Sequence, residues 1–245
     1  MKEFLRARAD TVVLQPFTHV TGDGTSLELT NVLARFRPGA ATRVLLVAHW
    51  DTRPRADMET DARKRELPIA GANDGASGTA VLLELANVLS RHSPPIGVDL
   101  LFVDGEDYGP GGDDMYLGAK HFAAHPLPAY RPLYGILVDM VADQAPVFFL
   151  EGNSRDMAPE VVERVWRIAE QIGLGHIFVR SPGGYITDDH VHLNRGGIRT
   201  IDIIDFDFGP GNSFWHTHQD ALENTSAIGP GAVGRVLTTL IFNGG

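Results

Sequence analysis

Three continuous apolar runs restrict the fold of this chain more than any other feature. Residues 43–49 (RVLLVAH), 98–103 and 133–140 lack the strict alternation of apolar and polar residues that a strand with one solvated face shows. Such runs are typical of strands that are covered on both faces, as parallel strands of α/β proteins are. We therefore expect these three segments to lie in the centre of a sheet with helices on both sides.

Segments with helical periodicity separate these apolar runs. Four of them place apolar residues three and four positions apart and are predicted as helices: 75–92, 117–125, 159–172 and 232–242. Shorter apolar segments are predicted as further strands of the sheet: 147–150, 177–179 and 198–204. Because strands alternate with helices and no linker or repeat interrupts them, we expect an α/β protein.

Two N-terminal segments alternate apolar and polar residues, as strands with one solvated face do. Thr11–Val20 and Ser26–Phe36 flank Gly22-Asp23-Gly24, a turn signal that indicates an antiparallel hairpin. The first residues resemble the last turns of a helix, and we expect the rest of that helix to be absent. The sequence thus predicts a single-domain three-layer α/β sandwich over residues 1–245, with a mixed, mostly parallel central sheet and the antiparallel hairpin at its edge.

Charge and cysteine content exclude several classes of function. The 31 Asp and Glu outnumber the 21 Lys and Arg, and the net charge of -10 disfavours nucleic acid, whose phosphates need cations for binding. No stretch approaches the roughly 18 apolar residues of a membrane span, so no membrane partner is expected. Because the chain has no cysteine, any bound metal must use histidine and carboxylate ligands.

Acidic and imidazole side chains follow the ends of the predicted strands. His49 closes the first apolar run, residues 104–107 (DGED) follow the second, and Asp139 lies at the end of the third. Three further connections carry such groups: Asn73-Asp74, Asp188-Asp189-His190 and Phe214-Trp215-His216. Ligands of open α/β sheets bind at the carboxyl ends of the strands, so these groups are expected to converge. A divalent cation would relieve the repulsion between them; the donor set suits Zn²⁺ and is compatible with Mn²⁺ or another divalent ion.

Each of these residues also has a purely structural interpretation. Asp74 suits the N-cap of the following helix, His49 suits a core or surface histidine, and Trp215 suits packing. The acids at 106–107 suit a solvated turn. Ser77 lacks the glycine pattern of a serine nucleophile elbow, and no glycine motif for phosphate binding is present. Five histidines follow no strand end and are predicted to be surface residues: His121, His125, His176, His192 and His218.

Taken together and in order, six local patterns resemble one enzyme family. They are His49-x-Asp51, residues 71–78 (GANDGASG), residues 104–107 (DGED), Asp139, Asp188-Asp189-His190 and Trp215-His216-Thr217. From about residue 49 to residue 220, the chain resembles the zinc aminopeptidase-like α/β hydrolases, and within them the glutaminyl cyclases. The Asp-Asp-His triplet and the tryptophan directly before the last histidine favour the cyclases over the aminopeptidases.

The resemblance implies a role for each residue of these patterns. Three residues would hold one Zn²⁺: Asp74, Asp107 and His216. The family usually has glutamate where this chain has Asp107, which shortens the ligand. Glu106 would be the general base or proton shuttle, and Asp188, with Asp139 near it, would hydrogen-bond the amide nitrogen of the substrate. Three residues would bind the substrate: Trp215, Trp50 and Asp189.

The resemblance favours one reaction and leaves two alternatives. The favoured reaction cyclises the N-terminal glutamine of a peptide or small-molecule substrate with a free N-terminus to pyroglutamate and releases ammonia. In the first alternative, a two-zinc aminopeptidase, His49 and Asp139 would complete a second metal site. The second is a non-catalytic metal- or peptide-binding module, against which the presence of Glu106 argues. The resemblance also implies a secreted or periplasmic protein whose signal peptide is absent here, and it predicts no oligomeric state.

Overall fold

Six of the eight strands form one mixed sheet in the computed structural model, which describes residues 1–245. The strands are β1 (Thr11–Val20), β2 (Ser26–Phe36), β3 (Arg43–His49), β4 (Gly97–Val103), β5 (Gly135–Asp139), β6 (Phe148–Leu150), β7 (Phe178–Pro182) and β8 (Thr200–Ile204). Their order in the sheet is β1-β2-β4-β3-β5-β8, with β4, β3, β5 and β8 parallel. The pairs β1–β2 and β2–β4 are antiparallel, so the predicted edge hairpin is confirmed.

Seven α-helices accompany the sheet. They are α1 (Lys2–Arg6), α2 (Ala76–Arg91), α3 (Leu117–Ala124), α4 (Gly152–Met157), α5 (Pro159–Gln171), α6 (Asp189–Arg195) and α7 (Ile228–Phe242). Short 3₁₀ helices occur at Gly112–Asp114, Pro210–Asn212 and Leu222–Asn224. All four predicted helices are present, whereas α4 and α6 are too short for their periodicity to be read from the sequence. None of the helices combines the length and apolar character that a membrane crossing requires.

The central strands are buried on both faces, which explains their continuous apolar sequences. Along β3, Leu46 and its alternate neighbours pack into a large core with α2, α5 and α7. Leu45 and Val47 point to the other side and pack into a smaller core with α3 and α6. Every residue of β3 and β4 is buried. The three-layer α/β sandwich predicted from the sequence is therefore confirmed.

Two of the predicted strands do not belong to the central sheet. Segments 147–150 and 177–179 correspond to β6 and β7, which pair in parallel with each other as a separate two-stranded sheet. Phe148 and Phe178 pack together, with ring centroids 5.0 Å apart, and Phe178 also contacts Trp166 on α5. The apolar residues that suggested central strands are thus buried against α5. The prediction that these two segments belong to the main sheet was wrong. A short apolar run indicates that a segment is buried, but it does not indicate which strand the segment pairs with.

The core makes a direct stability prediction. Leu100 lies fully buried in the centre of β4, and its replacement by alanine removes apolar contacts and leaves a cavity. We expect Leu100→Ala to lower the free energy of unfolding by about 2–5 kcal/mol in urea titrations. Leu222→Ala is the matched control, because Leu222 is 79% exposed, and its effect should stay within about 0.5 kcal/mol. Equal effects of the two substitutions would contradict the assignment of β4 to the core.

Candidate metal centre

The parallel strands bring their polar carboxyl-terminal residues to one edge of the sheet. His49 ends β3 and Asp139 ends β5, and the two strands are neighbours. The Nε2 atom of His49 lies 3.0 Å from Oδ1 of Asp139, a hydrogen bond between buried side chains. Its Nδ1 atom lies 3.8 Å from Oε2 of Glu106, which follows β4. Residues from three strand ends therefore meet around one imidazole.

A second group of side chains forms a triangle with the dimensions of a metal site. The Nε2 atom of His216 lies 3.4 Å from Oδ2 of Asp74 and 3.3 Å from Oδ2 of Asp107. Tetrahedral zinc with bonds of about 2.0–2.2 Å separates its ligand atoms by about 3.3–3.6 Å. All three side chains are buried, and Oδ2 of Asp107 has no hydrogen-bond partner. The donor types, their spacing and this unpartnered oxygen all fit a bound Zn²⁺.

The loop before α2 positions Asp74, which is not the helix cap. The helix begins after Gly75, whose φ of 46° lies in the left-handed region, and no side chain caps it. A Cβ atom on Gly75 would lie 2.5 Å from the ring of His49, so the loop approaches that ring closely. Asp220 fixes the loop from the other side, because its carboxylate accepts the backbone N–H groups of Asn73 at 2.7 Å and Asp74 at 3.2 Å. Asp74 is therefore held with its carboxylate directed toward the imidazoles of His49 and His216.

Asp74 lies between the two imidazoles. Its Oδ1 atom is 3.2 Å from Nε2 of His49, and its Oδ2 atom is 3.4 Å from Nε2 of His216. A second possible metal triad consists of His49, Asp74 and Asp139. Burial raises the pKa of Asp74, but the hydrogen bonds and charges of His216 and His49 outweigh it and hold the pKa well below its usual range. The carboxylate is placed where a bridge between two cations would be.

His216 has an unusual backbone and an aromatic neighbour. Its φ of 54° lies in the left-handed region, where few residues other than glycine are found. The indole of Trp215 stacks on its ring, with centroids 3.8 Å apart. Burial lowers the pKa of His216, yet Asp107 and Asp74 outweigh that effect and raise the pKa to about 9. The two carboxylates thus create a position that attracts positive charge.

The turn after β4 directs two acids into the site. Asp51 accepts the backbone N–H of Glu106 at 3.1 Å and of Asp107 at 3.0 Å, and Gly105 has a φ of 68°. Burial raises the pKa of Glu106 well above its usual value, and neighbouring carboxylates add to this although His49 opposes it. The interpretation of residues 106–107 as a solvated turn is therefore wrong, since both are buried.

Asp188 and Asp189 differ in what they can contact. Asp188 caps α6 by accepting the backbone N–H of Asp189 at 2.5 Å, and burial together with the charge of Asp139 raises the pKa of Asp188 to about 7. Asp189 is 0% exposed, and neither of its carboxylate oxygens has a partner. Asp189 lies among the charges of Asp188, His49 and Asp51, and its contact with substrate stays a prediction.

The two tryptophans proposed to bind substrate are accessible. Trp50 is 42% exposed, and its indole donates to the backbone oxygen of Thr30 at 3.3 Å. Trp215 is partly buried and also contacts Phe206, with ring centroids 5.1 Å apart. Both indoles therefore have accessible surface, and Trp215 lies directly beside His216; the contact of either one with substrate stays a prediction.

Sequence reasoning missed several buried or partly buried polar residues around the site. They are Arg53 and Asp57 in the loop after β3, Asp220 behind Asp74, and Glu151 and Asp202 on either side of His190. The length and polarity of the segment 50–73 were the available signal for the first two. His192, predicted to be a surface residue, is partly buried, since its ring stacks on Tyr116 and its Nε2 atom is covered.

Comparison with known proteins places this fold and site in a family. The model of peptidase family M28 matches residues 31–241, so the chain belongs to that family. A zinc-dependent exopeptidase from Parabacteroides distasonis shares 38% identity and a TM-score of 0.94 over 98% of this chain and 87% of that one. A Bacteroides thetaiotaomicron glutaminyl cyclase bound to N-acetylhistamine shares 37% identity and a TM-score of 0.93 over 99% of this chain and 87% of that one.

Curated sequences give the same relationship at greater distance. The glutaminyl-peptide cyclotransferase-like protein of Bos taurus is 27% identical over 91% of this chain. This chain spans 64% of the length of that bovine protein. The resemblance to glutaminyl cyclases of the zinc aminopeptidase-like family, predicted from six short patterns, is confirmed.

Proposed function

We propose that the chain is a zinc-dependent glutaminyl-peptide cyclotransferase. Its substrate would be a peptide or small molecule with a free N-terminal glutamine. The α-amine attacks the side-chain carboxamide carbon, a ring C–N bond forms, the bond to the amide nitrogen breaks, and ammonia leaves. No water is consumed, because nucleophile and leaving group belong to the same residue.

A difference in hydrogen bonding between the two triads is the observation that carries the choice of cyclisation over hydrolysis. His49 hydrogen-bonds Asp139 at 3.0 Å, whereas Asp107 in the first triad keeps a carboxylate oxygen without a partner. The unpartnered oxygen of Asp107 supports a metal ion in the first triad. Similarity to a solved glutaminyl cyclase over nearly the whole chain supports the same choice.

Asp74, Asp107 and His216 are the residues we assign to the metal. When bound there, Zn²⁺ supplies Lewis-acid polarisation of the carboxamide oxygen. The stacked indole of Trp215 restricts the direction in which the His216 ring faces. Asp107 presents the buried oxygen that lacks a hydrogen bond, and this leaves its lone pairs free for coordination.

Glu106 is the residue we assign to proton transfer. It lies next to Asp107 in the chain, and its carboxyl group projects toward the same edge of the sheet as His49. The carboxylate takes a proton from the α-amine as the ring bond forms and delivers it to the departing amide nitrogen, so that ammonia leaves neutral. One group serves both transfers, and the enzyme is unchanged at the end.

Asp188 and the aromatic wall would hold the substrate in its folded conformer. Asp188, which is buried beside Asp139, accepts a hydrogen bond from the carboxamide nitrogen and orients it for departure. Trp215 and Trp50 provide apolar surface that limits competition from water. An intramolecular attack gains mainly from such orientation.

A two-zinc aminopeptidase is the second candidate. The observation that favours it is the position of Asp74 between His49 and His216, because a carboxylate that bridges two cations needs this arrangement. A related solved structure is a zinc-dependent exopeptidase. In that case His49 and Asp139 would bind the second ion, and Glu106 would activate water. We also propose that residues 1–245 form one catalytic domain and that the protein is exported.

Product analysis separates the two candidates. With the dipeptide Gln-Ala, we expect ammonia and pyroglutamyl-alanine in equal amounts and no free alanine. Leu-Ala is the control substrate, because it has no carboxamide and cannot cyclise. Release of free leucine or alanine, together with about two zinc ions per chain in metal analysis, would reject cyclisation in favour of the aminopeptidase.

A further inference from the structure

Arg53 is a buried arginine that contacts the proposed metal site. It lies in the loop after β3 and is only 4% exposed. Its Nη1 atom donates to Oδ1 of Asp107 at 3.0 Å and to the backbone oxygen of the same residue at 3.3 Å. The oxygen of Asp107 that faces His216 is the other one, Oδ2. One carboxylate oxygen is therefore occupied by Arg53 and the other is left free.

The same guanidinium group reaches a second ligand through Asp57. Nε and Nη2 of Arg53 donate to the two oxygens of Asp57, at 3.3 Å and 2.5 Å. Oδ1 of Asp57 lies 3.5 Å from Nδ1 of His216, the ring nitrogen that does not face Asp74 and Asp107. A carboxylate near one nitrogen of a histidine favours the tautomer whose other nitrogen is free for metal. Arg53 thus acts on Asp107 directly and on His216 through Asp57.

The backbone leaves space for this guanidinium group at Gly109. A Cβ atom at that position would lie 2.1 Å from Nη1 of Arg53, and the φ of Gly109 is 54°. The turn after β4 therefore closes over Arg53 only with glycine at this point. Arg53, Asp57 and Gly109 come from two separate loops, and all of them lie around Asp107.

We propose that Arg53 is a positioning residue that orients two metal ligands of the site, Asp107 and His216. It fixes Asp107 so that a single oxygen faces the metal, which matters here because an aspartate stem is one methylene shorter than that of glutamate. The planar fork of arginine, rather than its charge alone, provides the four directed hydrogen bonds. The inference rests on the ligand assignment but not on the cyclisation reaction.

The test measures zinc affinity in a variant that keeps the positive charge. Removing the charge would by itself strengthen cation binding, so Arg53→Lys is the informative substitution. Lysine cannot donate to Asp57 and Asp107 with the same fork. We expect equilibrium competition with a chromophoric chelator to give about 10–100-fold weaker Zn²⁺ binding by Arg53→Lys than by the unmodified chain.

Arg43 provides a matched control at the opposite end of β3. It is also buried and donates to both oxygens of Asp99, but it lies at the amino-terminal end of β3, whereas the site lies at the carboxyl-terminal end. Arg43→Lys should lower thermal stability and leave Zn²⁺ affinity within about twofold, because only the fold is affected. A purely structural role of Arg53 would give both lysine variants the same affinity as the unmodified chain and would overturn the proposal.

Two further measurements distinguish a change at the metal site from a folding defect of the variant. The visible spectrum of bound Co²⁺ reports ligand geometry, and it should change in Arg53→Lys as Asp107 is released. If Arg53→Lys does not fold, Asp57→Asn is used, since it weakens the contact with His216 and should reduce Zn²⁺ affinity about tenfold. Unchanged affinity in Asp57→Asn would then reject the proposal. Failure of the unmodified chain to bind Zn²⁺ would instead reject the ligand assignment.

Discussion

Glu106→Gln is expected to lower the turnover of Gln-Ala by about 10²–10⁴-fold while zinc content stays the same. Glutamine has the size of glutamate but neither accepts nor delivers a proton at neutral pH. Because Glu106 is not among the three assigned ligands, its loss should leave the triangle around His216 intact. Initial rates of ammonia release and metal content of the purified variant check the two parts of this expectation.

The control for this substitution is Glu84→Gln. Glu84 lies on the exposed side of α2, and its change to glutamine alters charge by the same amount without touching the site. We expect its turnover to match that of the unmodified chain. Retention of more than about a tenth of the activity by Glu106→Gln would show that another group transfers the proton.

His216→Ala is expected to remove the bound zinc, whereas His49→Ala is expected to retain it. The first substitution deletes one of only three protein ligands in the proposed site, so zinc should fall from about one ion per chain to near zero after dialysis. The second deletes a residue whose Nε2 atom is hydrogen-bonded to Asp139 and which we do not assign to the metal. This pair tests the number of ions as well as the ligands.

Metal content and folding are measured together in this comparison. Mass spectrometry of metals gives ions per chain, and far-ultraviolet circular dichroism shows whether each variant keeps its helices and strands. Loss of zinc from His49→Ala with its fold preserved would contradict the one-ion assignment. Two ions in the unmodified chain and one in His49→Ala would match the two-zinc alternative, in which Asp74 is a bridge.

The layers of the fold could be predicted from local sequence, because buried segments have a recognisable pattern of apolar residues. A strand covered on both faces is apolar at most positions, as Leu45 and Leu46 of β3 are, and this pattern can be read without knowing the partner strand. The separate sheet of β6 and β7 was not accessible in this way. Phe148 and Phe178 are equally apolar, but which strand each one pairs with depends on long-range packing.

The residues of the site also divide into those that the sequence indicated and those that it did not. Residues at strand ends were found because topology places all carboxyl ends of parallel strands at one edge, and this rule selected His49, Asp139 and the acids after β4. The same survey of connections at this edge included Asp74 and His216, and the resemblance of short patterns to a known family implied their role as metal ligands. Arg53 and Asp57 were missed, since nothing in the segment 50–73 indicates which of its charged side chains turns inward.

By itself, the sequence determined the class of fold and the chemistry of the ligands. Apolar runs required a buried sheet, and the absence of cysteine restricted any metal to histidine and carboxylate. Only the tertiary structure decided which oxygen of Asp107 is free and which nitrogen of His216 faces it. Ligand type is a property of one residue, whereas ligand geometry depends on the distances between atoms held by different loops, which must be correct to within a few tenths of an ångström. Those separations exist only once the strands have packed.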